Sequence, residues 1–342
     1  MPNILPAENM FSVMEMTEAI NKLPLMPLRM APLFRQRGVR TTSVAMDIKN
    51  GRLVLVSNQD RRAAPQHMAG RGTKRQTVTL PAAHLPLMDS LLPDDVQNVR
   101  SFGTSEPIGV ESVINDKLLD LKNSIEMTVE FHRIGAIKGV VYDSDGTTLL
   151  YDLFRVFDVT KNTGTITFPT GASTTKKNPI LKGILDAKRK AQQKLGGLPI
   201  SRFEALIGSD FYDLLTGHEL VRKPFEDWQA NQANWGDNDY RKRGFVYGGV
   251  TWIEASEVIN GRSVVDTTKA HMYPVGLGCF DQFNAPANWT DTANTIGQPF
   301  YAQMEQRDMQ RGYDVEVQAN PLCVCNVPEA LVELTATEAK VD

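Results

Sequence analysis

The stretch Ile108-Gly-Val-Glu-Ser-Val-Ile-Asn-Asp-Lys-Leu-Leu-Asp-Leu-Lys-Asn-Ser-Ile-Glu-Met-Thr-Val-Glu-Phe-His-Arg-Ile134 predicts one long helix. Its apolar residues recur at steps of four, three, four and four, which is one helix face. These residues are Ile114, Leu118, Leu121, Ile125 and Val129. Pro107 precedes the stretch and Gly135 follows it, so we expect the helix to end at Gly135. A helix of ~27 residues is about 40 Å long, more than a small domain needs, which favours a structural role. The alternative is an ordinary helix broken at Gly109 or near Asn123.

The N-terminal 34 residues combine proline with apolar residues. A short amphipathic stretch before Leu23 indicates one helix. Pro24, Pro27 and Pro32 then follow within a few residues, which predicts an extended chain. The residues expected to make its apolar contacts are Leu25, Leu28, Met30, Leu33 and Phe34. An extended segment this apolar must cover another surface. The pattern leaves open whether that surface belongs to the same domain or to a neighbouring subunit.

Residues 38–80 predict a β excursion. The runs 39–46 and 53–57 are rich in β-branched residues, and Lys49-Asn-Gly-Arg52 between them is a hairpin turn signal. A polar, basic stretch follows, and strand character returns at 76–80. We therefore expect a long β-hairpin with a basic section.

The stretch from Arg29 to Arg75, which overlaps this region, carries the main charge anomaly of the chain. Its basic residues are Arg29, Arg35, Arg37, Arg40, Lys49, Arg52, Arg61, Arg62, Arg71, Lys74 and Arg75. The acids are Asp47 and Asp60, so the net charge is +9, against -3 for the whole chain and hence -12 elsewhere. A basic projection on an acidic body is complementary across a repeated interface. The alternatives are a solvated basic loop, or a nucleic-acid surface. The last is disfavoured because no aromatic residue lies between Phe34 and Phe102 to stack on bases.

The rest of the chain reads as mixed α and β structure. Predicted helices cover 179–195 and a segment capped by Ser209 or Asp210. Predicted strands are a hairpin over 139–157 with its turn at 143–146, then 203–207, 245–253, 269–275, 313–318, 322–325 and 330–334. Loops are expected at 229–243 and 276–298, and a polar tail from Thr335.

Composition bounds the function. With 42% hydrophobic and 23% charged residues the chain is an ordinary soluble protein. Neither a signal peptide nor an apolar run long enough to span a membrane is visible, so we expect assembly in the cytoplasm. Cys279, Cys323 and Cys325 are too few for a disulfide framework, and we expect them to be buried in a reducing compartment. No catalytic or metal-ligand spacing occurs, so we expect no catalytic residue, metal or cofactor.

The order of these parts resembles a known family. Four stretches carry the resemblance: Leu23-Pro-Leu-Met-Pro-Leu-Arg-Met-Ala-Pro-Leu-Phe34, Leu206-Ile-Gly-Ser-Asp-Phe-Tyr-Asp-Leu-Leu215, Phe245-Val-Tyr-Gly-Gly-Val-Thr-Trp-Ile-Glu254 and Tyr313-Asp-Val-Glu-Val-Gln-Ala-Asn-Pro-Leu-Cys-Val-Cys325. In this order they resemble the major capsid proteins of tailed bacteriophages, most closely the family of the lambda capsid protein E. The resemblance covers nearly the whole chain. Each motif alone is weak, so its specificity comes from the order.

The resemblance implies an α+β fold, the tailed-phage major capsid fold. Residues 1–35 form the N-terminal arm and 36–80 the extended β-hairpin loop that overlies an adjacent subunit. Residues 81–170 and 310–336 form the peripheral domain, with a spine helix at about 108–134. Residues 178–305 form the axial α/β domain.

The resemblance also implies a structural function and a set of partners. Copies of the chain form pentamers and hexamers of an icosahedral procapsid and virion shell around double-stranded phage DNA, bound without sequence specificity. A portal protein, a decoration protein at three-fold positions and a scaffolding protein are expected. The scaffolding protein should be a separate chain, because the arm begins within about ten residues. No membrane is involved. The inter-subunit contacts of the loop are expected at Arg35, Arg37, Arg40, Arg52, Arg61, Arg62, Arg71, Lys74 and Arg75.

Two alternatives from other classes remain at this point. One is an encapsulin-like compartment shell of the same fold that holds cargo enzymes. The other is an unrelated oligomeric α/β enzyme with an N-terminal arm. Some relatives of the capsid family join subunits by a Lys–Asn isopeptide bond, but nothing in this sequence identifies such a pair.

Overall fold

The computed structural model describes residues 13–24, 28–48, 76–95, 110–170, 178–195, 200–232, 244–255, 258–259, 262–276 and 278–340. The chain divides into two compact units. The first unit comprises Met1–Ala45, Thr79–Arg133 and Asp281–Val324. The second comprises Met46–Val78, Ile134–Phe280 and Cys325–Asp342. The predicted turn at 49–52 and strand at 53–57 lie outside the described residues.

The described residues form six α-helices and eighteen strands, and the last ten strands follow the last of these helices. The helices are α1 Val13–Lys22, α2 Val110–Lys138, α3 Leu153–Val156, α4 Pro179–Lys194, α5 Ser209–Gly217 and α6 Glu219–Gln232. The first nine strands are β1 Arg35–Gly38, β2 Ser43–Ile48, β3 Gln76–Pro81, β4 Leu85–Leu91, β5 Val140–Tyr142, β6 Leu149–Asp152, β7 Asn162–Thr170, β8 Arg202–Ile207 and β9 Phe245–Tyr247. The others are β10 Val250–Glu254, β11 Val258–Ile259, β12 Arg262–Ser263, β13 Lys269–Val275, β14 Phe280–Asn284, β15 Tyr301–Gln306, β16 Tyr313–Ala319, β17 Pro321–Cys325 and β18 Val332–Lys340.

The long helix predicted from its apolar stripe is confirmed as α2. It runs through Asn123 without a break, and all five residues of the stripe are buried. The predicted end at Gly135 is wrong, because the helix continues to Lys138 and stops before Gly139, whose φ is 83°. A Cβ at Gly135 would lie 3.0 Å from the Cα of Val141. The glycine is therefore explained by the close approach of β5 and not by helix termination.

The first unit contains two three-stranded sheets. One has the order β1-β14-β17, in which β1 runs parallel to β14. The other has the order β15-β16-β4 and is antiparallel. In this second sheet Val315 and Val317 are fully buried, and the polar residues that alternate with them point to the opposite face. The predicted strand at 313–318 is confirmed.

The second unit is built on one six-stranded sheet of order β7-β18-β13-β8-β10-β9. Along β8 the alternate residues Phe203, Ala205 and Ile207 face one hydrophobic core. The same core takes the buried residues of α4, α5 and α6, so the three helices cover one face of this sheet. Helix α4 matches the prediction of 179–195 to within one residue. Helix α5 also forms as predicted, but its N-cap is Gly208 and neither Ser209 nor Asp210.

Two predicted strands are interrupted. Residues 245–253 form two strands, β9 and β10, joined at Gly248 and Gly249, whose φ values are 63° and 72°. Two successive positive φ angles give the tight turn that suits antiparallel strands. The predicted hairpin at 139–157 is present, but its second strand ends at Asp152. The Asp152 carboxylate accepts from the backbone N–H groups of Phe154 and Arg155 and so starts α3.

Two strands lie where loops were expected. The predicted loop at 276–298 contains β14, and the predicted polar tail from Thr335 continues β18 to Lys340, paired in parallel with β7. Both segments are polar in sequence. In β14, Asp281 and Gln282 are buried because each has charged or polar partners within the first unit, as described below.

The predicted domain boundaries stay a prediction, and one observation bears on them. Residues 162–170 and 332–336 were expected in the peripheral domain. In the structure β7 and β18 pair with each other, and β18 pairs with β13 in the sheet of the second unit.

Candidate assembly surfaces

The arm is packed against its own subunit in the first unit. We use this name for residues 13–24 and 28–34, the part of the N-terminal arm that the structure describes. Met16 and Ile20 on α1 are buried. The Asn21 side-chain amide donates to the carbonyl of Phe300 over 2.9 Å, and the Ala302 N–H donates to the Thr17 hydroxyl over 3.3 Å. These bonds fix α1 along β15.

Lys122 on α2 binds the C-terminal end of α1. Its Nζ donates to the carbonyl oxygens of Ile20, over 3.0 Å, and Leu23, over 2.8 Å. The last carbonyls of a helix have no intrahelical partner, so a cation there is favourable. The side chain is fully buried and lies over the ring of Phe300 at 5.3 Å. Burial lowers the pKa of the Lys122 ammonium, against the opposing charge of Glu126.

The second half of the arm is held by a buried carboxylate. Glu130 on α2 accepts from the backbone N–H of Met30 over 2.6 Å and from Arg133 Nη1 over 2.9 Å. Arg133 Nε donates to the side chain of Gln282 on β14 over 3.0 Å, and Gln282 in turn donates to Asn284. Both charged side chains are over nine-tenths buried. The network thus joins the arm, α2 and β14 through polar bonds.

A cavity lined by polar and apolar residues lies next to Asn21 of the arm in the same unit. Its volume is about 220 Å³. It is lined among others by Asn21, Lys122, Arg133, Gln282 and Phe300, which are groups that already hold the arm or its neighbours in place. We therefore assign this cavity to the contacts that hold the arm in the first unit.

The residues predicted to make the arm contacts differ in their burial. Met30 and Phe34 are 1% and 5% exposed, so the structure packs them inside the subunit and leaves little of their surface for a neighbour. This packing corresponds to the first of the two alternatives that the sequence left open, and contact with a neighbouring subunit stays a prediction. Leu28 and Leu33 are half-buried. Leu25 lies outside the described residues.

Three of the nine predicted basic contacts can be placed. Arg35 forms a two-bond ion pair with the buried carboxylate of Asp281, at 2.8 and 3.3 Å, and Arg37 lies 3.4 Å from the same carboxylate. Arg37 also lies over the Phe283 ring at 6.0 Å. These two side chains remain about half exposed, and Arg40 is exposed. The other six predicted contacts fall outside the described residues: Arg52, Arg61, Arg62, Arg71, Lys74 and Arg75.

The sequence did not predict the polar contacts that hold the arm on α2. Lys122, Glu126, Glu130 and Arg133 form a charged stripe on α2, beside the apolar stripe. Charges spaced by four residues are also typical of a solvated helix face. The only feature of the sequence that could have indicated this site is the length of α2. A long helix that packs on two partners buries a second stripe of residues besides the apolar one.

The first unit has exposed apolar residues at the edge of one of its sheets. Leu87, Met88 and Leu92 are exposed on and just after β4, an edge strand of its sheet, and an apolar edge favours protein contacts.

The cysteines are buried and free, as predicted, and burial raises the pKa of the Cys323 thiol to about 12. Within the described ranges, no helix is long and apolar enough to cross a bilayer.

Comparison of the folds gives the class of protein. The chain aligns with a chain of the capsid structure of the Cyanophage P-SCSP1u with a TM-score of 0.50, at 10% identity, over 93% of this chain and 91% of that one. Such low identity shows the fold alone. The α+β fold is therefore the tailed-phage major capsid fold, as the resemblance in sequence implied.

Sequence comparison gives the family. The family model "Phage major capsid protein E" matches residues 12–336, so the chain belongs to this family. The major capsid protein of Salmonella phage Felix O1 is 26% identical over 336 residues, covering 89% of this chain and 90% of the relative. The major capsid protein of Pseudomonas phage KPP10 is 24% identical over 318 residues, covering 86% and 88%.

Membership in the family decides between the alternatives. The chain is a phage major capsid protein, a structural component of the virion that associates with copies of itself into a shell. The family disfavours the encapsulin-like compartment, and it identifies a structural protein and not an enzyme.

Proposed function

We propose that this chain builds pentamers and hexamers of a closed icosahedral shell around double-stranded DNA, and that residues 49–75 bind a neighbouring copy through charge. The observation that carries this proposal is the charge distribution. Residues 49–75 contain seven basic residues and one acid, a net charge of +6, in a chain whose net charge is -3. Every copy in a shell repeats the same contact, so a modest interaction is multiplied by multivalency.

The division of labour implied by the family is part of the proposal. Residues 36–80 reach between subunits, residues 81–170 and 310–336 form the peripheral domain, and 178–305 form the axial domain around five- and six-fold positions. A separate scaffolding protein, a portal protein and a decoration protein at three-fold positions are the further partners. Assembly takes place in the host cytoplasm. Recovery of nuclease-protected DNA from native particles tests the packaged genome.

Charge reversal tests the role of residues 49–75. The test variant carries five changes: Arg61→Glu, Arg62→Glu, Arg71→Glu, Lys74→Glu and Arg75→Glu. We expect it to form at least ten-fold fewer shells than the wild type. The fold should survive, because the described core of each unit is formed by other residues. Shells are counted by electron microscopy and sedimentation, and folding is followed by circular dichroism.

A charge-conserving variant is the matched control. Exchanging the same four arginines for lysine, and Lys74→Arg, keeps the charge at every position, so shells should form at the wild-type level. Normal shells from the reversed variant, or loss of shells from the charge-conserving one, would show that charge in this segment does not bind the neighbour.

A further inference from the structure

A second charge asymmetry lies within the helix layer of the second unit. Helix α4 carries Lys182, Lys188, Arg189, Lys190 and Lys194 and one acid, Asp186, which gives a net charge of +4. Residues 209–219, from the start of α5 to the start of α6, carry three acids and no lysine or arginine. The two segments therefore have opposite charges of similar size, +4 and -3.

Some charges of α4 point away from its core, whereas Lys188 donates to the carbonyl of Gly249 and Lys190 to the carbonyl of Thr163. Ile180, Ile184, Ala187 and Ala191 are the buried residues of α4 and pack against the sheet. Lys182 and Arg189 are seven residues apart and lie on the opposite side of the helix. Arg189 is 64% exposed despite its bond to Asp186. Lys182, Lys190 and Lys194 are also exposed.

The acids of α5 point outwards in the same way. Phe211, Tyr212 and Leu215 fill the core, whereas Asp210 and Asp213 are exposed. Glu219 at the start of α6 is exposed as well. Among the ion pairs in the described part of the chain, none joins α4 to α5. Both helices cover the same face of one sheet, so each copy presents both charges in one layer.

We infer that the exposed face of α4 binds the acidic segment 209–219 of a second copy in a head-to-tail ring contact. This inference rests on the proposed function and names the surfaces through which its pentamers and hexamers close. Opposite charges on different patches of one molecule suit a heterologous contact, which generates a ring when its rotation closes. Double-stranded DNA suits this layer less well, because a polyanion would be repelled by segment 209–219 next to the basic helix.

A charge exchange tests the pairing. The basic-to-acidic variant carries Lys182→Glu, Arg189→Glu and Lys194→Glu, and the acidic-to-basic variant carries Asp210→Lys, Asp213→Lys and Glu219→Lys. Each is expected to form at least ten-fold fewer shells than the wild type while unfolding at the same denaturant concentration. The variant with all six changes restores the attraction and should recover most of the shells.

Mixing the basic-to-acidic variant with the acidic-to-basic variant gives a sharper result. Their subunits attract only in alternation, and alternation closes a ring of six but not a ring of five. The mixture should therefore form hexamers or open hexameric sheets, seen by electron microscopy, without closed shells.

The outcomes separate the two proposals. Normal shells from either variant with three changes would overturn the α4 contact and leave the proposed function standing. The same holds if the shells are lost and the variant with all six changes does not restore them. Normal shells with reduced binding of a fluorescent 30-base-pair duplex to the basic-to-acidic variant would also overturn it, by assigning α4 to nucleic acid. Absence of shells from the wild type under every condition would contradict the proposed function and the ring contact together.

Discussion

Replacing Glu130 with alanine is expected to lower the free energy of unfolding of the first unit by about 3–5 kcal/mol. The change removes the partner of Arg133, which is 3% exposed, and the acceptor of the Met30 N–H. A buried charge without its partner costs far more than a lost surface ion pair. Urea unfolding measures the loss. Hydrogen exchange should show that residues 28–34 lose protection first.

A double variant provides the control for this prediction. With Glu130→Met and Arg133→Met together, neither charge is left alone in the interior, so the loss of stability should be smaller than for Glu130→Ala. The opposite order of the two losses, or unchanged exchange in residues 28–34, would contradict the assignment of Glu130 as the anchor of the arm.

Replacing Trp252 with alanine is expected to destabilise the second unit by a similar amount, about 3–5 kcal/mol. The indole is fully buried on β10 and stacks on Phe211 with ring centroids 5.9 Å apart. Its Nε1–H donates to the carbonyl of Tyr247 over 3.0 Å. Removing it leaves a cavity between the sheet and α5, which cannot close without moving both. The shift of the urea unfolding midpoint gives the effect.

A neighbouring exposed residue supplies the matched control for Trp252. Val246 on β9 is 53% exposed, and Val246→Ala should change the free energy of unfolding by less than about 0.5 kcal/mol. Equal effects of the two substitutions would show that the core of the second unit is not centred on Trp252.

The sequence predicts best where one periodic pattern decides the structure. The stripe from Ile114 to Val129 predicts α2 because burial of one face dominates its energetics. The same holds for α4, whose four buried residues recur at helical spacing. Gly135 misled the prediction of the helix end, since glycine serves both helix termination and close packing, and only the tertiary structure distinguishes the two uses.

Polar interiors are where prediction from the sequence fails. Strand β14 was missed because Asp281 and Gln282 read as loop residues, and their burial depends on Arg35 and Arg133, which are remote in sequence. The polar contacts that hold the arm on α2 were not predicted for the same reason. The carbonyls that Lys122 binds are about 100 positions away, and no local pattern reports such a partner.

The structure also changes the account of the arm. An apolar, proline-rich segment left its destination open between its own domain and a neighbour. The polar bonds of Lys122 and Glu130, with the burial of Met30, place the described part of the arm on its own subunit. Contacts between subunits are therefore better sought at residues 49–75 and in the helix layer.

Electron cryomicroscopy of the purified chain, alone and with a scaffolding protein, tests the central claim most directly. We predict closed icosahedral shells whose reconstruction resolves pentamers and hexamers of this subunit. Discrete small oligomers without shells under every condition would contradict it.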